Sequence, residues 1–415
     1  MKSQLDPARE AWMRTKEVCA VMNALLAEGG EARFVGGAVR DALLGRPVDN
    51  IDIATPLVPE EVTRRLQHAH IAALPTGIEH GTVTAVLDGH ALEVTTLRRD
   101  VSTDGRRAVV AFSTSWEEDA SRRDFTFNAL YASFDGELFD YGGGLQDLAA
   151  GHVRFIGDPV QRIREDYLRI LRLFRMHAWY GKGEVDDDAL QGATTERRGL
   201  GALSGERIRK EFLRLLEADN PVSAVLSMQR HKILAEMLPA ETYPKRFERL
   251  VAIDSGNFFK PDPMLRLIAL VSRNDPSARR LPERLKLSGD ERDRLLDLID
   301  DRQELAPYMP VRKVRQMLYR LGRQRFRDRV LLAWADDADQ SNTIPWRALL
   351  ALADAWERPR FPLSGRDVLE AGIPEGPLVG NVLSEVEAWW MENDFTDDAL
   401  ALAERLSGAV QRARS

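Results

Sequence analysis

The sequence predicts an α/β head, a mixed sheet with flanking helices, followed by an all-α neck, body and tail. Three observations carry this. Short β-rich stretches around Phe34, Ile51, Ile71, Val83, Leu92, Val109, Leu130 and Val153 are confined to residues 1–157. From Pro159 onward nearly every segment has helical periodicity, broken by an acidic, Gly-containing stretch at Gly181–Arg198 and by prolines at Pro276–Pro282 and Pro359–Pro362. At 415 residues the chain is too long for one small core. The expected units are 1–157 (head), 158–220 (neck), 221–355 (body) and 356–415 (tail), with no internal repeat and no low-complexity tract.

Within the head, a helix is expected near Pro7–Ala27 and a short buried strand at Arg33–Gly36. Gly36-Gly37 lets the backbone approach a charged ligand with no Cβ in the way, and a helix at Val39–Leu44 opens at that turn, a combination suited to anions. Asn50-Ile51-Asp52-Ile53 alternates polar and apolar residues. On a strand, Asn50 and Asp52 then share one face, while Asp49 points to the other. Mg²⁺ takes hard oxygen ligands and is usually held by one or two carboxylates plus substrate phosphates, so acid-x-acid beside a Gly-Gly turn suits phosphoryl or nucleotidyl transfer. Here the first position is an amide, which can coordinate a cation but brings no charge.

Beyond the head, a helix from Gln161 to Tyr180 is expected to bury Ile163, Tyr167, Ile170, Leu171, Phe174 and Ala178. Its other side carries Glu165, Asp166, Arg169 and Arg172, with Asp166 and Arg169 three apart and so neighbours. An Asp–Arg couple can accept from the exocyclic amine of cytosine or adenine and donate to the adjacent ring nitrogen, but it mismatches guanine and uracil. An ordinary surface ion pair has the same spacing.

The net charge of −7 gives no global attraction to nucleic acid, so any RNA partner must be held by local basic surface. Between Arg312 and Arg329 eight cations meet only Asp328, with Tyr319 and Phe326 interleaved; both a solvated helical face and a phosphate-contacting face fit this pattern. Cys19 is the only cysteine, so no intramolecular disulfide can form. The start MKSQLDPAREAW lacks an apolar signal core, and no apolar run reaches the roughly 18 residues of a membrane span. A cytoplasmic protein with no membrane partner is expected.

Together GGAVRD (Gly36–Asp41), NIDIAT (Asn50–Thr55), TGIEHGTVT (Thr76–Thr84), LEVTTLRRD (Leu92–Asp100), RRDFTFNAL (Arg122–Leu130), YGGGLQDL (Tyr141–Leu148) and REDYLRILRLFR (Arg164–Arg175) resemble the bacterial class II CCA-adding tRNA nucleotidyltransferases, within the polymerase β-like superfamily. PLSGRDVLEAGIPEGPLVG, from Pro362 to Gly380, is a weaker likeness to that family's tail. The resemblance implies a tRNA substrate, CTP and ATP, and Mg²⁺. Gly36 and Gly37 would line the triphosphate and Asp52 would be one metal carboxylate, the other falling on Asn50. Arg122 and Arg123 would meet phosphates or sugar, Asp124 the ribose 2′-hydroxyl, and Asp166 and Arg169 would form the template that reads C, then A. Asn128 and Arg172 join the nucleotide-binding set. Arg40 either contacts the ligand or fixes the Gly-Gly turn through Asp41, and Glu93 is either a further acid or a structural carboxylate. Arg312, Lys313, Arg315, Arg320 and Arg323 would contact tRNA. Arg98–Val110 resembles a flexible loop that switches specificity from C to A, favouring a full CCA adder. His80 reads as a packing residue, and the body shows no clustered His and Asp of a phosphohydrolase. A poly(A) polymerase of the same superfamily, or a tRNA-binding relative on an inactive head, are the other readings.

Overall fold

The computed structural model describes residues 4–104, 107–257, 259–272, 275–301 and 303–414. Its head is built on a seven-stranded mixed sheet. In chain order the strands are β1 (Arg33–Val35), β2 (Asp52–Thr55), β3 (Ala72–Gly77), β4 (Thr82–Leu87) and β5 (His90–Thr96), then, after a separate two-stranded ribbon of β6 (Arg98–Asp104) and β7 (Arg107–Phe112), β8 (Leu130–Ala132) and β9 (Leu138–Asp140). The spatial order is β3-β4-β5-β2-β1-β8-β9, antiparallel throughout except that β2 and β5 run parallel. Asp88-Gly89, both with positive φ, form the tight turn that joins β4 to β5 with right-twisted strands on either side. Period-two burial along β5 puts Leu92, Val94 and Thr96 inside and leaves Glu93 outside.

Helix α1 (Lys16–Leu26) starts where the Thr15 hydroxyl accepts from the Val18 amide, and it buries Val18, Val21, Met22 and Leu25 at spacings of three and four. Thr15 also divides the single helix expected near Pro7–Ala27, leaving a 3₁₀ turn at Ala11–Arg14 in front of α1. Helix α2 (Gly37–Leu43) follows β1 with no linker, because Gly36 turns the chain at φ 70° and ψ −122°, which a Cβ would disfavour. Next come α3 (Pro59–His68), α4 (Trp116–Ser121) and α5 (Gly144–Ala150). The strand expected at Val153 is instead one isolated bridge, Phe125 to Phe155. The segment read as a flexible loop has the backbone of the β6–β7 ribbon; its tip, residues 105–106, and the side chains of 100–110 lie outside the described residues.

Among the described residues all secondary structure after Asp140, single bridges aside, is helical; beyond α5 come α6 (Pro159–Glu165), α7 (Leu168–Tyr180), α8 (Asp187–Glu196) and α9 (Gly205–Leu216). One continuous apolar core runs from Leu5 through Phe174 and Phe212 to Ala353, so head, neck and body share packing. A second core around Val368, Val386, Trp390 and Leu406 takes Tyr319 from the helix Val311–Leu321. Buried Arg266 bridges elements of the first core: it donates to Asp254 at 3.0 Å, to the carbonyl of Leu216 at the end of α9 and to that of Ala218 just beyond it.

Candidate active site

The N-terminal end of α2, the start of β2, the loop after α4 and the faces of α7 and α9 enclose a cavity of about 980 Å³. Gly36, Gly37, Arg40, Asn50, Asp52, Glu93, Arg122, Arg123, Asp124, Asn128, Asp166, Arg169 and Arg172, all named from sequence, line it. Residues spread over more than 130 positions are brought to one place.

At its floor, Asp52 opens β2 and lies directly across the parallel ladder from Glu93 on β5. Register partners on adjacent strands project to the same face about 5 Å apart, so two carboxylates stand side by side. Burial and then Glu93 push the Asp52 pKa up, with Arg123 opposing them. Because β2 begins at Asp52, Asn50 precedes the strand. The alternation expected for Asn50–Ile53 does not reach that far, and Asp49 borders the same cavity, not its opposite face. Two carboxylates and an amide beside a Gly-Gly turn fit a small divalent cation that draws its remaining oxygens from substrate phosphates and water.

Arg122 and Arg123 are held from behind by Asp119, a residue not singled out in the sequence. Its carboxylate, 1% exposed, accepts from Arg122 at 2.6 Å, from Arg123 at 2.9 Å and from the Tyr131 hydroxyl at 2.8 Å. Burial opposes its charge, yet the two guanidiniums and the Tyr131 hydroxyl prevail and hold its pKa at about 2. The spacing was visible: Asp119, on α4, lies three and four residues before its partners, which follow directly at the end of that helix. Asp124 is likewise anchored. Burial works against it, but Arg172, donating at 2.8 Å, with Asn128 and the Phe125 amide, brings its pKa down to about 2. Arg40 meets Asp41 bidentately at 3.0 and 2.9 Å and also donates to Asn128 at 2.6 Å and to the Tyr180 hydroxyl at 2.7 Å, with 7% of its surface exposed. That network ties α2 to the C-terminal end of α7.

The helix expected at Gln161–Tyr180 breaks at Asp166, whose φ −155° and ψ 107° are extended. Asp166 and Arg169 are therefore not an ion pair one turn apart. Asp166 accepts from the Leu168 amide at 3.1 Å and from Arg207 of α9 at 2.7 Å. Arg169 donates to the Arg162 carbonyl at 2.6 Å and pairs with Glu165. Arg162, 8% exposed, also donates to the Arg123 carbonyl at 2.7 Å, which couples the arginine loop to the base of α7.

Two family models match: "Poly A polymerase head domain" over residues 32–154, and "Probable RNA and SrmB- binding site of polymerase A" over 185–242. The human mitochondrial CCA tRNA nucleotidyltransferase 1 is 34% identical over 395 residues, 92% of this chain and 87% of its own, and the CCA-adding enzyme of Streptococcus gordonii is 31% identical, covering 93% and 96%. This chain belongs to the CCA-adding tRNA nucleotidyltransferases. The Bacillus stearothermophilus CCA-adding enzyme, solved in complex with CTP, superposes with a TM-score of 0.75 at 26% identity over 96% of this chain and 98% of its own. The fold is shared as well with the Thermotoga maritima CCA-adding enzyme solved with tRNA, at a TM-score of 0.68 and 19% identity over 98% of this chain and all of that one. As a CCA-adding nucleotidyltransferase this protein belongs to enzymes whose chemistry is generally divalent-metal dependent. Among its described residues no helix is long and apolar enough to cross a membrane.

The basic stretch at Arg312–Arg329 is less free than its sequence implied. Arg315 meets Asp394 at 2.7 Å, Arg327 meets Asp354 at 2.7 Å, and Arg329 meets Asp297 and Asp301 at 3.0 and 3.1 Å. Arg323 donates to the Trp356 carbonyl. Arg312, Lys313 and Arg320 are exposed and make no ion pair among the described residues.

Proposed function

We propose that this protein adds C, C and A to the 3′ end of tRNA from CTP and ATP, releasing pyrophosphate, and that Mg²⁺ is its cation. The observation that carries the reading is one cavity in which the Asp52–Glu93 carboxylates, the Gly36-Gly37 turn and the Asp166 and Arg169 side chains face one another. Asp52, Glu93 and the Asn50 amide would hold the cation, which when bound neutralises charge developing on the transferred phosphate. Gly36 and Gly37 admit the triphosphate close to the backbone. Arg122 and Arg123 meet its phosphates in an orientation set by Asp119, and Asp124, with Asn128 and Arg172 behind it, faces the ribose. The tRNA 3′-oxygen then bonds to the α-phosphorus as the bond to pyrophosphate breaks.

Reading the base requires a rearrangement. Asp166 must present its outer oxygen beside Arg207, and Arg169 must exchange Glu165 for the base edge, so that the two together match cytosine or adenine. Arg40 serves the site as a brace. We assign 1–157 to catalysis, 158–220 to base selection, 221–355 to tRNA contact, where Arg312, Lys313 and Arg320 are the free cations, and 356–415 to the tail, all in the cytoplasm.

The test offers tRNA transcripts ending before CCA, at CC and at CCA with labelled CTP and ATP. Extension that stops after A supports the proposal; long A runs indicate a poly(A) polymerase, and binding with no extension a tRNA-binding protein. Position 50 has its own test. An amide there leaves the site one negative charge short, so Asn50→Asp should raise the addition rate and tighten Mg²⁺ binding, while equal rates in the two forms refute the claim that residue 50 limits the enzyme.

A further inference from the structure

Next to the catalytic cavity lies a second, of about 650 Å³, which falls in the size range of small-molecule sites. The two share a sill made of Asp41, Pro47, Asp49, Trp179, Tyr180 and Arg214. Trp179, at the C-terminal end of α7, is half-buried; its indole N–H donates to the Arg214 carbonyl at 2.8 Å and the Arg214 guanidinium lies 4.7 Å from its ring centroid. Beside it the Tyr180 ring carries Arg40 at 4.0 Å and Arg46 at 4.8 Å. Nothing in the reaction at Asp52 uses Trp179.

The charges around this second cavity indicate what it takes. Arg40 neutralises Asp41 and Glu217 neutralises Arg214, at 2.9 and 2.5 Å. That leaves exposed Arg46 against two exposed carboxylates, Asp49 and Asp219, which have no ion pair among the described residues. A free triphosphate would be repelled by that surplus. A neutral base is suited: its π face can stack on Trp179, its own phosphate can lie by Arg46, and an exocyclic amine, where the base has one, can donate to a carboxylate.

We propose that this cavity binds an unpaired base of the RNA substrate, set back from the reacting 3′ terminus, with Trp179 as its stacking platform. The inference rests on the tRNA reading above. A strand whose terminal hydroxyl reaches Asp52 must cross the rim of the catalytic cavity, and the shared sill offers the preceding nucleotide an aromatic ring at that crossing. Stacking of one base on one aromatic side chain holds single-stranded RNA with little regard to sequence, as an enzyme that accepts many tRNAs requires.

The experiment uses a tRNA transcript ending in the first added C, with 2-aminopurine as the base before it. Wild-type protein should quench the fluorescence on binding, Trp179→Phe should keep most of the quench, and Trp179→Ala should lose it. In CTP addition, Trp179→Ala should raise the KM for tRNA by roughly fivefold or more, within the range that one stacked base supports, leaving the KM for CTP unchanged, with rescue by Trp179→Phe. Quenching and tRNA KM equal to wild type in Trp179→Ala would overturn the proposal, as would a rise confined to the KM for CTP, which would mark a triphosphate site. The readings fail separately: a wild-type protein that adds no CTP refutes the activity, and the quench reports the stacked base without turnover.

Discussion

Asp52 and Glu93 lie across one rung of a parallel ladder, and their mutual repulsion makes the bare pair costly and the cation-filled pair favourable. Glu93→Gln should therefore weaken Mg²⁺ binding, read by titration calorimetry, and lower kcat by about 10²–10⁴, the range for loss of ~3–5 kcal/mol of transition-state stabilisation. A rate within a factor of three of wild type would return Glu93 to a structural role. Asp119 makes a prediction about stability. Its folded pKa of about 2 is depressed from an ordinary 3.8, so its contribution is present above pH 4 and is lost as pH falls toward 2; the gap corresponds to about 2 kcal/mol. Asp119→Asn should be less stable at neutral pH and should lose less on acidification between pH 4 and 2, measured by urea melts across that window. The residue types of this site were legible in the sequence because each sits in a short motif. Their partners were not: whether Arg40 or Arg122 has donors to spare depends on Asn128, Tyr180 and Asp119, which only the fold brings near.

Between α6 and α7 the hydrophobic spacing runs on unbroken from Ile163 through Tyr167 to Ile170, and for that reason the sequence reads as one helix. What interrupts it is local polar chemistry, the Asp166 carboxylate accepting from the Leu168 amide at 3.1 Å and satisfying a donor that the new helix end exposes. The break turns Asp166 toward Arg207 and the cavity, giving the acid proposed to select the base a backbone that a helix would not allow. Asp166→Asn keeps an acceptor for that amide but supplies neither the charge nor the same pattern toward a base. The expected outcome is a melting temperature close to wild type together with lost preference for CTP and ATP over UTP and GTP, measured as kcat/KM ratios on tRNA ending before CCA. Unchanged ratios would remove Asp166 from base selection. Elsewhere the elements were legible where periodicity and punctuation agree, as in α1 and the β4–β5 hairpin. They were missed where a strand is as short as β9, and overcalled at Val153, where the expected strand amounts to a single bridge.

Across the whole molecule the acidic balance of −7 and the basic run at Arg312–Arg329 pull in opposite directions, and tertiary packing decides between them. Most of those arginines were read as free because their nearest acids are distant in sequence: Asp394 lies 79 residues from Arg315, and Asp354 lies 27 from Arg327. What is left is Arg312, Lys313 and Arg320, which at 100° per residue fall on one side of the helix Val311–Leu321. Replacing these three with glutamine should weaken tRNA binding and flatten the plot of log affinity against log salt by about 2–3 units, since each neutralised phosphate contributes roughly 0.7–0.9. The paired arginines supply the converse test. Asp394→Asn and Asp354→Asn together unmask Arg315 and Arg327, and exposed pairs contribute less than about 1 kcal/mol to stability, so the fold should persist while tRNA binds more tightly and with a steeper salt slope. If neither set of substitutions moves the slope, the RNA is held by another face of the helical body.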